Sequence, residues 1–390
     1  QLQTLGAPSD PSRGLVSSEP ANVTVGRIRV QTTRSLNVGL MALGQHRFGT
    51  PDADHAAGGV DAQLIGLDGR LLGYGFVAAT LGQSPARPLQ RDDAGTIVAA
   101  PRPPDTRLGS SAYTQLQYQG LFIRPSILWL WSDGDFDPRL GFYRRPSSAR
   151  QEASLAFVPR PRVLGIRELS FGPSYSVETD PFYTKLLGRS GGSGVSVWWR
   201  NGSNINYNVA HFVDDVQQPF ELYQHQVEAR TYTGFRQSVG ANTPERRALQ
   251  LGVGYEWIEL FGGKAHLPSI DFTARLGKHF TAGGSYTHVV GHLADAGEDF
   301  DFGYANANVD VAITRNLAFD NLGRLDLSPG NERVGAQSRL RWRFAPGSDL
   351  FVVYRADVPL SEALPGAPTR EPFHELTLKV SVYMRAFVQR

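Results

Sequence analysis

The chain has no cysteine. Disulfides, thiolate metal sites and a cysteine nucleophile are therefore excluded, and the absence suits a protein exported to an oxidising compartment. Methionine occurs twice, as Met41 and Met384. The sequence opens on Gln1 with no basic-then-apolar leader, so it reads as a trimmed polypeptide whose export signal is gone. Long hydrophobic runs are missing: nothing approaches the ~18 consecutive apolar residues a membrane-spanning helix needs. A surplus of one charge is missing too. The 390 residues carry 39 Lys and Arg against 37 Asp and Glu, a formal net charge of +2. That balance excludes a nucleic-acid-binding arm or an acidic tail as the dominant feature.

What is abundant is glycine, with 42 residues, and two-residue alternation. Leu249, Leu251, Val253, Tyr255 and Trp257 alternate with Gln250, Gly252, Gly254 and Glu256. Val334, Ala336, Leu340, Trp342 and Phe344 share a segment with Gly335, Gln337, Arg339, Arg341 and Arg343. Similar patterns run through 204–209, 305–314 and 376–385. Successive side chains of a strand point to opposite faces, so each segment has one apolar and one polar wall. The segments are about ten residues long, the length at which a tilted strand crosses a bilayer. Between them lie turn signals at Asp68-Gly69, Gly188 to Gly194, Asn201-Gly202, Gly262-Gly263 and Pro329-Gly330.

Soluble sandwiches and propellers also alternate, but their strands are nearer five or six residues. In this chain the apolar wall carries almost no charge, while the polar wall is rich in Gly, Asn, Gln, Ser, Thr and Arg. The pattern predicts an all-β, antiparallel, up-and-down transmembrane barrel of about 18 strands, with 16 as the alternative. Trp129, Trp131, Trp199, Trp257, Trp342 and Tyr354 are candidates for an interfacial aromatic girdle. Residues 1–21, with three Pro and no alternation, read as a tether, and 22–390 as the barrel. Residues 83–109, with five Pro, read as one long loop, and 133–149 and 359–373 as further connections.

Several stretches resemble the barrel portion of an uncharacterised bacterial outer-membrane family that joins a family-nine-type carbohydrate-binding-like domain to a C-terminal barrel. They are VGRIRVQTTRSLNVGLMAL at 25–43, GGVDAQLIGLDGRLLGYGF at 58–76, FDPRLGFYRR at 136–145, RPRVLGIRELSFGPSYS at 160–176, SRLRWRFAPGSDLFVVY at 338–354 and HELTLKVSVYMRAF at 374–387. The resemblance implies integral residence in a Gram-negative outer membrane, with lipid, lipopolysaccharide and the barrel-insertion machinery as partners. Through the companion domain it also implies a link to saccharides. A final amphipathic strand ending in Phe387 fits the signal such barrels present for insertion.

The best functional candidate is an Arg ladder. On a strand, Arg339, Arg341 and Arg343 lie on one face about 6.8 Å apart. Arg275, Arg355, Lys379 and Arg385 extend this lumen-lining set, with Glu256, Asp271 and Asp310 opposing it. A charged stripe selects solutes by sign, so one reading is a path for anions or anionic saccharides. The other is a structural network of Arg paired with carboxylates, which the nearly equal acidic and basic counts favour.

Catalytic and metal patterns are weaker. Asp133, Asp135 and Asp137, and Glu298, Asp299 and Asp301, form acidic runs that fit solvated loop tips better than a calcium loop, with a structured turn in or beside the barrel as the alternative for the first, which overlaps the family-like segment at 136–145. Gly188-Arg189-Ser190-Gly191-Gly192 formally fits G-x-S-x-G, but no helix follows to make an elbow. His288 and His292 sit about 13 Å apart on a strand, too far to share a metal. His211 with Asp214 and Asp215 lacks a placed Ser. The expectation is a non-enzyme without cofactor or metal: a channel or export pore for a polar solute. The alternative is a plugged scaffold within a larger cell-envelope complex.

Overall fold

The computed structural model describes residues 2–4, 21–47, 54–84, 90–91, 97–99, 105–137, 147–223, 225–294, 297–329, 332–360 and 372–381. The chain divides into two compact units. One comprises Gln1–Pro159 and Gly172–Gly192, the other Arg160–Phe171 and Ser193–Arg390.

The first unit holds β1 (Leu2–Thr4), β2 (Ala21–Gln31), β3 (Leu36–Arg47), β4 (His55–Gly66), β5 (Leu71–Ser84), β6 (Gln90–Arg91), β7 (Ile97–Ala99), β8 (Asp105–Tyr118), β9 (Ile123–Ser132) and β10 (Ser148–Phe157). Strands β11 (Ile166–Thr179) and β12 (Leu186–Trp199) contribute to both units. The second holds β13 (Asn204–Asp215), β14 (Phe220–Leu222), β15 (His225–Val227), β16 (Thr231–Asn242), β17 (Leu249–Leu260), β18 (Gly263–Leu276), β19 (Phe280–Leu293), β20 (Glu298–Ala312), β21 (Leu317–Asp326), β22 (Arg333–Ala345), β23 (Ser348–Pro359) and β24 (Phe373–Ser381). Apart from β6–β7 and β14–β15, which pair as separate two-stranded pieces, these are 20 antiparallel up-and-down strands in one sheet.

Alternation becomes walls through register, because directly opposed residues share a face. In β20–β24 one wall stacks Asp310, Asp320 and Arg339, then Arg355 beside Glu375. The other wall stacks Val311, Phe319 and Leu340 and continues through Val352 to Leu378. In the first unit Arg29, Asp61, Gln63 and Gln115 share the polar wall. Ile28 with Leu40 and Val60 with Val77 share the apolar wall, each at least half exposed.

Turn chemistry follows the signals. Leu67, Asp68 and Gly69 have positive φ between β4 and β5. Phe261 and Gly262 have φ of 47° and 79° in a two-residue link from β17 to β18, as a type I′ hairpin requires. Next to it, a Cβ on Gly263 would collide with the backbone carbonyl of His292 on β19. Gly263→Ala is expected to part the end of the β18–β19 ladder and cost about 1–3 kcal/mol, read as a shifted urea midpoint for the refolded protein.

Several expectations are corrected. Among the described residues the main sheet has 20 strands, not 18 or 16. One addition is β1, three residues inside the expected tether, which pair with the start of β2. The glycines of 188–194, expected as a turn before a strand at Val195 to Trp199, instead lie within that same 14-residue strand, β12, so G-R-S-G-G forms neither turn nor elbow. Glycine has no side chain to carry the alternation, and that hid the first half of the strand. The expected 83–109 loop is shorter, because β5 runs to Ser84 and β8 begins at Asp105. Glu298, Asp299 and Asp301 belong to β20 rather than a loop tip. Most of 136–145, most of 359–373 and all of 382–390 lie outside the described residues.

Candidate functional site

The Arg ladder lies on β22, with its side chains on the polar wall. Opposite Arg339 stands Asp320 of β21, and opposite Arg343 stands Asp349 of β23. Arg339 donates to Asp320 Oδ2 from Nε and Nη2, at 2.9 and 2.7 Å. Arg341 grips both oxygens of Asp349, at 2.9 and 3.2 Å, and Arg343 Nε stands 3.5 Å from the same carboxylate. Arg355 donates to Gln337 at 3.2 Å and stands 3.9 Å from Glu375. The ladder is thus a lattice of charge-assisted bonds, with a two-oxygen fork at Arg341 and two donors on one oxygen at Arg339. Its arginine side chains keep 38–46% of their surface, so the paired charges line the wall without being buried.

The remaining candidates join the same wall at other levels. Glu256 accepts from Arg236 at 2.7 Å. Asp271 folds over Gly252, and Arg275 donates to the Glu245 carbonyl at 2.8 Å. Asp310 faces Asp320 and accepts from Asn308 at 3.1 Å; Lys379 faces Phe351. Arg385 lies outside the described residues.

The aromatic candidates take varied roles. Trp129 and Trp131 donate their indole N–H groups to the Tyr183 hydroxyl (2.9 Å) and the Pro181 carbonyl (3.0 Å), tying down the connection after β11. Trp257 lies on the apolar wall opposite His266, whose Nδ1 bonds Tyr255 at 2.6 Å. Tyr286–His288 and Tyr354–His374 repeat that pairing at 3.2 and 2.8 Å. Trp342 packs edge-on against Phe344, and Trp199 closes the turn to Ser203.

Near the β17–β18 hairpin the walls exchange character. On the polar-wall side Ala265, Val289, Leu293, Phe300 and Phe302 form a buried cluster joined by Ile258 and Leu267. On the opposite side stand His288 with Asp301 (3.1 Å) and His292 with Asp299 (2.9 Å). The β14–β15 hairpin packs on the cluster: Tyr223 meets Phe300 and Phe302 with ring centroids 5.2 and 4.7 Å apart. Burial pushes the Tyr223 hydroxyl above its ordinary range, with Tyr304 and Asp326 adding to the effect. Strict alternation gave no sign of this cluster, because its apolar residues occupy polar-wall positions.

The connection after β11 is organised by Asp180. Its carboxylate accepts from the Thr184 hydroxyl at 2.7 Å and from the backbone N–H groups of Thr184 and Lys185 at 2.6 Å. The Thr184 hydroxyl above all, then the Lys185 N–H, holds the carboxyl below its ordinary range. A depressed carboxylate contributes above its unfolded value and loses that contribution as pH falls through the folded one. Asp180→Asn is therefore expected to lower the hydrogen-exchange protection factors of the Thr184 and Lys185 amides at neutral pH, a loss the parent protein shows only in acid.

Solved structures share this architecture. The chain is similar to the ferric-catecholate import receptor Fiu from E. coli K12, with a TM-score of 0.61 at 10% identity over 93% of this chain and 72% of that one. It is similar to the FrpB iron transporter from Neisseria meningitidis, TM-score 0.55, 10% identity, 92% and 71% covered. The copper transporter OprC gives 0.56 at 10% identity, with 93% and 70% covered. What is shared is the fold, an antiparallel up-and-down sheet like those of solved outer-membrane β-barrel proteins. No family model matches the chain, and no curated protein does. The solved structures are consistent with the barrel region that the resemblance implied, while neither that family nor a carbohydrate-binding-like domain is shown. At 10% identity the likeness is one of fold, so the chemistry must come from this chain's own walls.

Proposed function

We propose that the sheet closes into an outer-membrane barrel, integral to a Gram-negative envelope, that passes a polar solute along its polar wall. The observation that carries this reading is the lattice of Arg339, Arg341 and Arg343 with Asp320 and Asp349, set back to back with an apolar wall. Strands in hydrocarbon must have every backbone group paired, which an open sheet cannot provide. An even strand count brings the first and last strands together with their free ends on one side. A barrel of this size is wide enough for water unless side chains or loops fill it. A wall of paired charges offers hydrogen bonds to a neutral polar solute at many points with little net field, which suits saccharides better than small ions. On this reading the protein meets lipid, lipopolysaccharide and the insertion machinery.

The test is single-channel recording from the detergent-purified protein in a planar bilayer. Resolvable steps, with sugar uptake in a liposome-swelling assay, are expected. A folded protein that gives neither overturns the pore. The hairpin seated on Phe300 and Phe302 favours a second reading, a plugged scaffold holding an envelope partner, and that silent result would leave it standing.

A further inference from the structure

A second feature lies in the first unit and does not depend on whether the wall above conducts. The turn after β9 does not project away from the sheet. It lies so close to β8 that a Cβ on Gly109 would collide with the Asp135–Phe136 backbone. Asp133 accepts from the Ser110 N–H at 2.7 Å, Arg107 pairs with Asp135 at 2.9 Å, and the Asp137 N–H donates to the Thr80 hydroxyl at 3.1 Å. Two of the three aspartates of the SDGDFDP run thus fasten a lid, and their position holds Phe136 over the polar wall of β4 and β5, 9% exposed.

Beneath the lid is a cavity of about 320 Å³, at the small end of the range for ligand pockets, roughly 300–1,000 Å³. Its floor includes the small residues Ala57, Gly59 and Ala78. Both ends carry buried polar groups with unmet hydrogen bonds. His55, 3% exposed, has no partner on either ring nitrogen among the described residues, and Asp61, 8% exposed, has none on Oδ2. The other oxygen of Asp61 accepts from Arg27 at 3.0 Å. Both residues are on β4, about 20 Å apart at strand rise, so the cavity is an elongated trough. Gly39 and Gly82 make room for them: a Cβ on Gly39 would strike the Asp61 carboxylate, and one on Gly82 the His55 ring. Buried polar atoms left unpaired are costly, and two at opposite ends of one cavity point to something that completes them.

We propose that this trough binds an uncharged amphiphile with a hydroxylated end and an apolar body, an aryl glycoside in chemical class. Arg27 and Asp61 cancel in charge and set a donor beside an acceptor, matching neighbouring hydroxyls on a polyol. The apolar body lies over Ala57 and Ala78 beneath Phe136, and its far end supplies His55 with a partner. Ordered water is the rival occupant, since water also satisfies buried polar groups.

The test is equilibrium dialysis of p-nitrophenyl β-D-glucoside against the whole chain in a zwitterionic, sugar-free detergent. Saturable binding at one site is expected. D61N should weaken it about tenfold or more, as the loss of a hydrogen bond to a charged group does. Ala57→Phe fills the trough and should abolish binding while far-UV circular dichroism stays unchanged; if that variant does not fold, Phe136→Ala, in the turn, should weaken binding instead. 4-Nitrobenzyl alcohol, which lacks the sugar, should bind at least tenfold more weakly. No saturable binding by the folded parent leaves water as the occupant and overturns the proposal, as does binding that survives filling or opening of the trough. Equal affinity for the nitrobenzyl alcohol overturns the glycoside assignment. Conductance is a separate readout, so failure here and failure of the pore are distinguishable.

Discussion

Replacing Arg339, Arg341 and Arg343 together with Gln is expected to turn a weakly selective conductance strongly cation-selective. The three guanidiniums and the two carboxylates they grip leave one net positive charge on that stretch of wall. Removing the guanidiniums leaves Asp320 and Asp349 as two uncompensated negative charges. Selectivity in a wide pore follows the sign of such charges, and the effect weakens at high salt as screening grows. The measurement is the reversal potential under a tenfold KCl gradient, repeated at high ionic strength. A companion variant, Asp320→Asn with Asp349→Asn, should move the potential the other way. Unchanged potentials in both would mean that the permeating path does not touch this wall.

Removing the β14–β15 hairpin is expected to raise the conductance several-fold. Its neck is already closed, because the Val216 N–H donates to the Arg230 carbonyl at 3.1 Å, so a two-residue turn can replace residues 217–229 without disturbing β13 or β16. The deletion strips Tyr223 and Leu222 from Phe300 and Phe302 and wets an apolar cluster, so some stability is lost with the gain in flux. The check is step amplitude in the planar bilayer beside a urea titration of the same sample. A deletion protein that stays folded with unaltered steps would show that the hairpin stands clear of the path. A silent parent whose deletion variant conducts would identify the hairpin as the plug.

The walls were legible in the sequence because period two survives wherever strands keep their side chains. Thus the ladder of β22 and the wall positions of Glu256, Asp271, Asp310, Arg355 and Lys379 follow from alternation alone. The partners Asp320 and Asp349 did not, because which residues face Arg339 and Arg343 is set by the turns before β22 and β23. The buried cluster was invisible for a different reason: Phe300, Phe302 and Val289 occupy polar-wall positions, and only the fold-back of a hairpin far along the chain explains them. The acidic run at 133–137 read as a solvated tip or a structured turn in or beside the barrel, and only tertiary placement reveals that Asp133 and Asp135 fasten a lid. His55 and Asp61 gave no signal, since a histidine and an aspartate six residues apart on a strand are unremarkable until their surroundings are known.

The exchange of wall character along β17–β20 has a consequence for depth. Below the exchange the apolar wall presents Leu251, Val253, Ile270 and Phe272; above it the same wall presents His266, His288, His292, Asp299 and Asp301. Tyr255, Trp257 and Tyr286 mark the boundary. In a bilayer these strands have one favourable height: sinking by a single residue pair, about 6.8 Å, would draw ionisable groups into hydrocarbon, and rising by the same step would expose an aliphatic row to water. The strands therefore act as a waterline gauge, and a thicker membrane must thin around them rather than pull them down.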